Sequence, residues 1–444
     1  MKIIVVGAGT SGLAATHTLR KRGADVVALE SNDDAGGRII GARKEGYTMD
    51  LGAQFFFKFY ETTFGLCREL GLENEITPFP FKVAIWRDGK LYPAVASLDP
   101  RILWHNRHDM LRFRGVPLKG MLQLARIMPL VLKRRRDLHF VDYANMLDLD
   151  DESLADLALR RAGEEILEYF FQPIASCLTL GEPEDVGAGY GLTLLWYSLN
   201  GLFTLKRGIG SLAERLYEEC AADVRLSTPV KRIVIEGGAV KGVETGEGFM
   251  EADAVICTTT ATTALKLIPD LPDGLRKPME KVTYSACCHA MFCLRDRLLP
   301  EGWYAVGLPR KAGASMAGFT DNSIKSPEYT PTGGGMVHCF TFGKHAFELN
   351  AMPDAEVFSR LKGEIKHFIP SMPDEPFLSE IYRWDEAVCL SPPGMLREIY
   401  RMKRENYRDV KGLFLAGEYM NMPSVDGSLR SGMDAAEMAL RVST

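Results

Sequence analysis

Lys2-Ile3-Ile4-Val5-Val6-Gly7-Ala8-Gly9-Thr10-Ser11-Gly12 carries a short β-branched run straight into a glycine loop, and residues 13–22 follow with helical spacing. Strand, glycine turn and helix in that order open a βαβ unit. Each glycine has its own task there. Gly7 allows the tight turn, Gly9 lets backbone approach a pyrophosphate, and Gly12 lets helix and strand pack closely. Ser11 belongs to the same loop, at a helix start whose unpaired N–H groups and positive dipole end face an anion. A second strand, residues 25–30, ends on Glu30, 18 positions beyond Gly12. A carboxylate there can accept hydrogen bonds from both hydroxyls of an unphosphorylated adenosine ribose.

Working outward, Ala35-Gly36-Gly37-Arg38 and Met49-Asp50-Leu51-Gly52-Ala53 come next. Adjacent glycines let a second loop close over the diphosphate while Arg38 supplies donors to it. This separates FAD from NAD. Gly208-Ile209-Gly210-Ser211-Leu212 opens another helix, and strands are expected at 224–227, 231–236, 239–245 and 254–257. Such a meander places the backbone of Val230 near an adenine; a structural β-layer without ligand contact is the alternative reading. Toward the end, Gly412-Leu413-Phe414-Leu415-Ala416-Gly417-Glu418 reads as a buried strand running into an acidic turn. The last helix starts within residues 423–432, with Ser424 as its N-cap. If that start faces a flavin pyrimidine, its dipole stabilises the negative charge that develops there on reduction.

Length and composition agree with this reading. A chain of 444 residues is expected to form two domains of roughly 200 residues each. The 46% apolar and 25% charged fractions are those of a globular protein, and the net charge of −5 gives no broad basic field, so nucleic acid is not an expected partner. Nine cysteines, including the neighbours Cys287 and Cys288, show neither a disulfide framework nor regular Cys/His ligand spacing. No metal is expected, and a cytoplasmic location is. No run of about 18 apolar residues is present to span a membrane.

Together, in this order along almost the whole chain, these motifs resemble the FAD-dependent amine oxidase superfamily, which holds monoamine and polyamine oxidases, protoporphyrinogen oxidases and carotenoid desaturases. The resemblance implies that Glu418 contacts the ribitol or diphosphate and that Val425 lies against the flavin. The expected fold is α/β, with a Rossmann-type FAD-binding domain assembled from residues 1–80, 205–270 and 380–444. An interlaced α+β substrate-binding domain takes residues 81–204 and 271–379. Gly417 joins Glu418 in the cofactor set.

Three departures narrow the chemistry that the resemblance implies. The amine oxidases place two aromatic rings over the flavin; here the corresponding regions read Trp384-Asp385-Glu386-Ala387-Val388-Cys389 and Ser424, without the tyrosines. Cys389 does not match the register of a covalent flavin link, so FAD is expected to be non-covalent. The lysine that holds a water at flavin N5 is replaced, on the strand 284–294, by His289, which can hold that water or act as a base near neutral pH; a core histidine is the alternative. The expected reaction is hydride transfer from a C–H bond of a mainly apolar small molecule to the flavin, with oxygen or another acceptor reoxidising it. Amine or amino-acid oxidation and flavin-dependent isomerisation are the rival readings. Residues 120–132, followed by Lys133-Arg134-Arg135-Arg136, read either as an apolar helix whose basic end meets a membrane surface or as a packed helix with a cationic last turn, and Pro129 opposes one long helix.

Overall fold

Five short aliphatic strands lie parallel in the order Val224–Arg225, Asp25–Leu29, Lys2–Val6, Ala254–Cys257 and Leu413–Leu415. They read as continuous apolar runs because helices or a second β-layer cover both faces. Ile3, Val5, Ala28 and Ile256 pack against the N-terminal helix Thr10–Lys21 and the C-terminal helix Val425–Arg441. Ile4, Val6, Val255 and Leu413 face the antiparallel meander Val230–Glu236, Ala239–Thr245 and Gly248–Glu251. The α/β class with a parallel sheet built from separated stretches of chain is therefore present in this computed structural model, which describes every residue except 81, 117, 406–408 and 442–444.

The strand expected at 224–227 stops at Arg225. Ser227 takes a left-handed φ of 50° and its N–H donates to Asn32 O at 2.7 Å, turning the chain across the end of the neighbouring strand.

A seven-stranded sheet forms the second layer, in the order Leu378–Leu390, Thr283–Leu294, Gly335–Thr341, Met316–Asp321, Ala305–Gly307, Lys82–Arg87 and Lys90–Val95. Its pairings are antiparallel except between Ala305–Gly307 and Lys82–Arg87. The strand Leu378–Leu390 crosses the boundary expected at residue 380 and lies in this sheet, paired with Thr283–Leu294. The segment 120–132 is not one helix: Leu118–Leu124 and Met128–Arg134 are separate, and Pro129 sits in the first turn of the second, where a missing N–H costs little. Among the described residues no helix is long and apolar enough to cross a membrane.

Candidate functional site

The carboxyl ends of the parallel strands carry the loops singled out above. Gly7 N–H donates to Leu29 O at 2.8 Å, and a side chain at Gly12 would collide with Gly7 O, so the helix can start this close to the strand only as glycine. Beneath the loop, Thr258 Oγ donates toward Val6 O and Gly7 O at 2.9 and 3.0 Å. The second loop docks on the first: Gly36 N–H donates to Ala8 O at 2.9 Å. Gly37, at a φ of +59°, stands so close that a Cβ there would lie 3.0 Å from Gly9 Cα. Glu30 is buried beside them. Its Oε2 accepts from Ala8 N at 2.7 Å and its Oε1 from Asn32 N at 3.0 Å, while its carbonyl accepts from Thr228 N at 2.7 Å.

From the far end of the chain, Glu418 meets Arg38. Glu418 Oε2 lies 2.5 Å from Arg38 Nη2. Burial disfavours the guanidinium charge, but the Glu418 carboxylate outweighs it and holds Arg38 protonated well above its ordinary range. Glu418 Oε1 and Ser11 Oγ are both buried without a hydrogen-bond partner among the described residues. Gly417, at a φ of +139°, donates its N–H to Ser431 Oγ on the C-terminal helix at 3.1 Å. That helix crosses the N-terminal one where a side chain at Gly432 would strike Ser11 O, and Thr10 Oγ and Ser428 Oγ are 2.9 Å apart. Two helix starts thus converge on one region, and their dipoles add there. Ser424 Oγ accepts from Gly427 N at 2.9 Å, as an N-cap does, and Val425 is half-buried at the start of the helix.

Residues 50–54 form the remaining wall. Ala53 N–H donates to Arg38 O at 3.0 Å, and a side chain at Gly52 would collide with the same carbonyl. Asp50, fully buried, accepts from Ile209 N at 2.9 Å, Tyr329 OH at 2.8 Å and Lys325 Nζ at 3.1 Å. Lys325 Nζ also donates to Gln54 O at 2.6 Å. Burial lowers the Lys325 ammonium to about 8, with Asp50 opposing that shift.

His289 is the correction. Its Nδ1 lies 2.8 Å from Leu51 O, which as an acceptor fixes the proton on Nδ1, and its Nε2 is then left to accept from His338 Nδ1 at 3.0 Å. Burial lowers its pKa to about 4. The ring lies stacked on Phe340 at 4.6 Å and neither nitrogen is open to a reacting molecule, so this is a core histidine rather than a base near neutral pH.

Contacts join Gly7, Gly9, Gly12, Glu30, Gly37, Arg38, Gly52, Ala53, Gly417 and Glu418 at the carboxyl end of the parallel sheet. Ser11 lies against Gly432 of the helix that Ser424 caps and Val425 starts, Val230 packs on the meander core, and His289 lies in the wall behind Leu51. The donor set suits a dinucleotide: a carboxylate for a ribose diol, a backbone cradle that a Cβ at Gly37 would crowd, and an arginine with the start of Thr10–Lys21 for a diphosphate. The unpartnered Ser11 Oγ and Glu418 Oε1 fit the same group. Thr258, Ser428, Ser431 and Lys325 escaped the sequence reading. Thr258 stood in the quotable run Thr258-Thr259-Thr260 directly after a strand, whereas Lys325 had no local signal.

A family model described as flavin containing amine oxidoreductase matches residues 10–440 of this chain. The zeta-carotene-forming phytoene desaturase of Myxococcus xanthus is 28% identical over 338 residues, 68% of this chain and 61% of that relative. The mitochondrial protoporphyrinogen oxidase of Nicotiana tabacum is 22% identical over 499 residues, 99% of this chain and 94% of the relative. Among solved structures, cyclohexylamine oxidase from Brevibacterium oxydans IH-35A superposes with a TM-score of 0.77 at 19% identity, covering 100% of this chain and 99% of that one.

Proposed function

Since the chain belongs to the flavin-containing amine oxidoreductase family and is a flavin oxidoreductase, we propose that its cofactor is non-covalent FAD and its reaction the dehydrogenation, at a C–H bond, of a mainly apolar small molecule. The observation that carries the cofactor is the convergence of Glu30, the Gly9–Gly37 cradle and the Arg38–Glu418 pair beneath two helix starts. Glu30 holds the adenosine ribose, and Arg38 with the amides after Gly9 holds the diphosphate. Bound FAD supplies the two-electron acceptor for hydride, and oxygen or another acceptor takes the electrons on. Cys389 supports a non-covalent link: it is fully buried, its Sγ leans on Leu390 O at 3.5 Å, and burial holds the thiol protonated well above its ordinary range.

The protein's own part is orientation and electrostatics. The amides at the start of Val425–Arg441 would stabilise negative charge on a bound flavin, and Ser424 fixes that helix start. Dehydrogenation at carbon releases a proton alongside the hydride, and His289, sealed in the core, is not the group that takes it. Relatives named as a desaturase and a protoporphyrinogen oxidase support that branch. The family's description supports amine oxidation as the second reading. Nine unpaired cysteines support a cytoplasmic location.

Anaerobic mixing of the holoprotein with a porphyrinogen, a polyene precursor and a set of primary amines, followed by flavin absorbance, tests the assignment. Bleaching by one of the first two is expected. Bleaching by amines alone, with peroxide released on admitting oxygen, would replace the reading with amine oxidation, and turnover that leaves the substrate mass unchanged would replace it with isomerisation.

A further inference from the structure

Lys325 sits where a lysine is costly. Its side chain is fully buried, and among the described residues no other lysine or arginine is buried. An ammonium taken out of water needs an acceptor for each of its three N–H groups. Lys325 Nζ has them: Gln54 O at 2.6 Å, Gln54 Oε1 at 3.1 Å and Asp50 Oδ2 at 3.1 Å. None is left over for a water or a reacting molecule. Stability does not account for the arrangement, because apolar side chains of similar volume fill such a space at no greater cost in many proteins.

Position does account for it. Lys325 follows the strand Met316–Asp321 of the seven-stranded sheet, whereas both of its partners belong to the 50–54 wall beside Arg38. The same layer sends three further donors to that wall. Asn322 Nδ2 donates to Gln54 Oε1 at 2.8 Å, while His289 Nδ1 and Trp384 Nε1 donate to Leu51 O at 2.8 and 3.0 Å. Gln54 Nε2 folds back to donate to Asp50 O and Gly52 O, both at 2.8 Å. From the opposite side, Leu51 N donates to Ile40 O and Ala53 N to Arg38 O, each at 3.0 Å. The wall is thus hydrogen-bonded on both sides, and a shift of Gln54 must pull on Ala53 and, through it, on the carbonyl of Arg38.

We propose that Lys325 is a positioning residue for the bound cofactor: it pins Gln54, and through Gln54 it fixes residues 52–54 in one geometry and ties them to the seven-stranded sheet. The charge suits the task. Charge-assisted hydrogen bonds are about twice as strong as neutral ones, and an ammonium offers three donors from one atom. A site keeps its geometry only when the residues behind it are themselves locked, to within about 0.5 Å. The inference rests on the FAD reading above.

The test compares three holoproteins, the wild type, Lys325→Met and Lys325→Met/Asp50→Asn, by their visible flavin bands and by FAD release on dilution. Lys325→Met unpins Gln54 but also strands the Asp50 carboxylate, so its flavin loss mixes position with fold. The double variant strands no charge, and the amide that replaces Asp50 can still accept from Ile209 N and Tyr329 OH. Its stability in urea should return toward that of the wild type. Its flavin bands should nevertheless stay shifted, and FAD should bind about tenfold more weakly or worse, the worth of one charged hydrogen bond. Wild-type bands and FAD affinity in the double variant would overturn the proposal by making Lys325 merely structural, and so would their presence in Lys325→Met. A wild type that holds no flavin would overturn the FAD reading itself, and this inference with it.

Discussion

Replacing Arg38 by Met removes the cation from its 2.5 Å pair with Glu418 and leaves the apolar stem in place. The fold and the cofactor should respond separately. For the fold, Glu418 keeps a buried carboxylate whose Oε1 has no hydrogen-bond partner among the described residues. Breaking a buried pair from one side costs about 3–5 kcal/mol, and since the Arg38 and Glu418 side chains are 27% and 10% exposed, solvent screening brings the expectation to about 2–3. For the cofactor, one charge-assisted hydrogen bond to the diphosphate is lost, about 1.5–3 kcal/mol or roughly a 10- to 150-fold weaker FAD. Arg38→Met/Glu418→Gln then removes the stranded charge and should recover most of the stability but none of the affinity. Urea unfolding of deflavinated protein reads the first quantity, and quenching of FAD fluorescence on titration reads the second. FAD affinity within twofold of wild type in Arg38→Met, or its recovery in the double variant, would refute a direct role for Arg38.

Gly37→Ala should purify with much less flavin, because its φ of +59° costs an L-residue about 1–2 kcal/mol and its Cβ would press on Gly9; Gly65→Ala, with open space around it, should keep full flavin absorbance. Lys325→Met should lower stability by about 3–5 kcal/mol by stranding Asp50. Because Lys325 titrates at about 8 folded and near 10.5 unfolded, the unfolded chain binds more protons between those values, so wild-type stability should gain a rising component across that window that Lys325→Met lacks in urea melts at stepped pH. His289, at about 4 folded, must charge on unfolding in acid; its contribution should be complete above pH 6.5 and about 2 kcal/mol smaller by pH 5, and His289→Phe should flatten that slope in the same melts. The pH profile of turnover between 6 and 8 should be the same in His289→Gln as in the wild type; a limb lost from that profile would restore His289 as a base.

What could be read from the chain was what its neighbours dictate. Lys2–Val6 into Gly7, the acidic strand end at Glu30 and the cap at Ser424 are local statements about φ, N–H direction and spacing, and each lands where it was expected. Arg38 and Glu418 were each legible as a candidate, but their pairing across 380 positions was not, since nothing in either neighbourhood specifies the other. Lys325 shows the limit more sharply: its meaning comes from Asp50 and Gln54, 275 and 271 positions away in the chain. His289 was placed on the right strand, yet its role turned on two partners, Leu51 O and His338, that only the assembled sheet supplies. The strand Leu378–Leu390 similarly belongs to the sheet that offered it an antiparallel partner, not to the segment its position suggested.

The absorbance spectrum of the purified protein, taken before and after acid precipitation with the released cofactor identified by mass, tests the central claim most directly. The account predicts flavin bands that pass wholly into the supernatant as FAD. Flavin retained in the pellet would contradict the non-covalent link, and a colourless protein that takes up no added FAD would contradict the assignment itself.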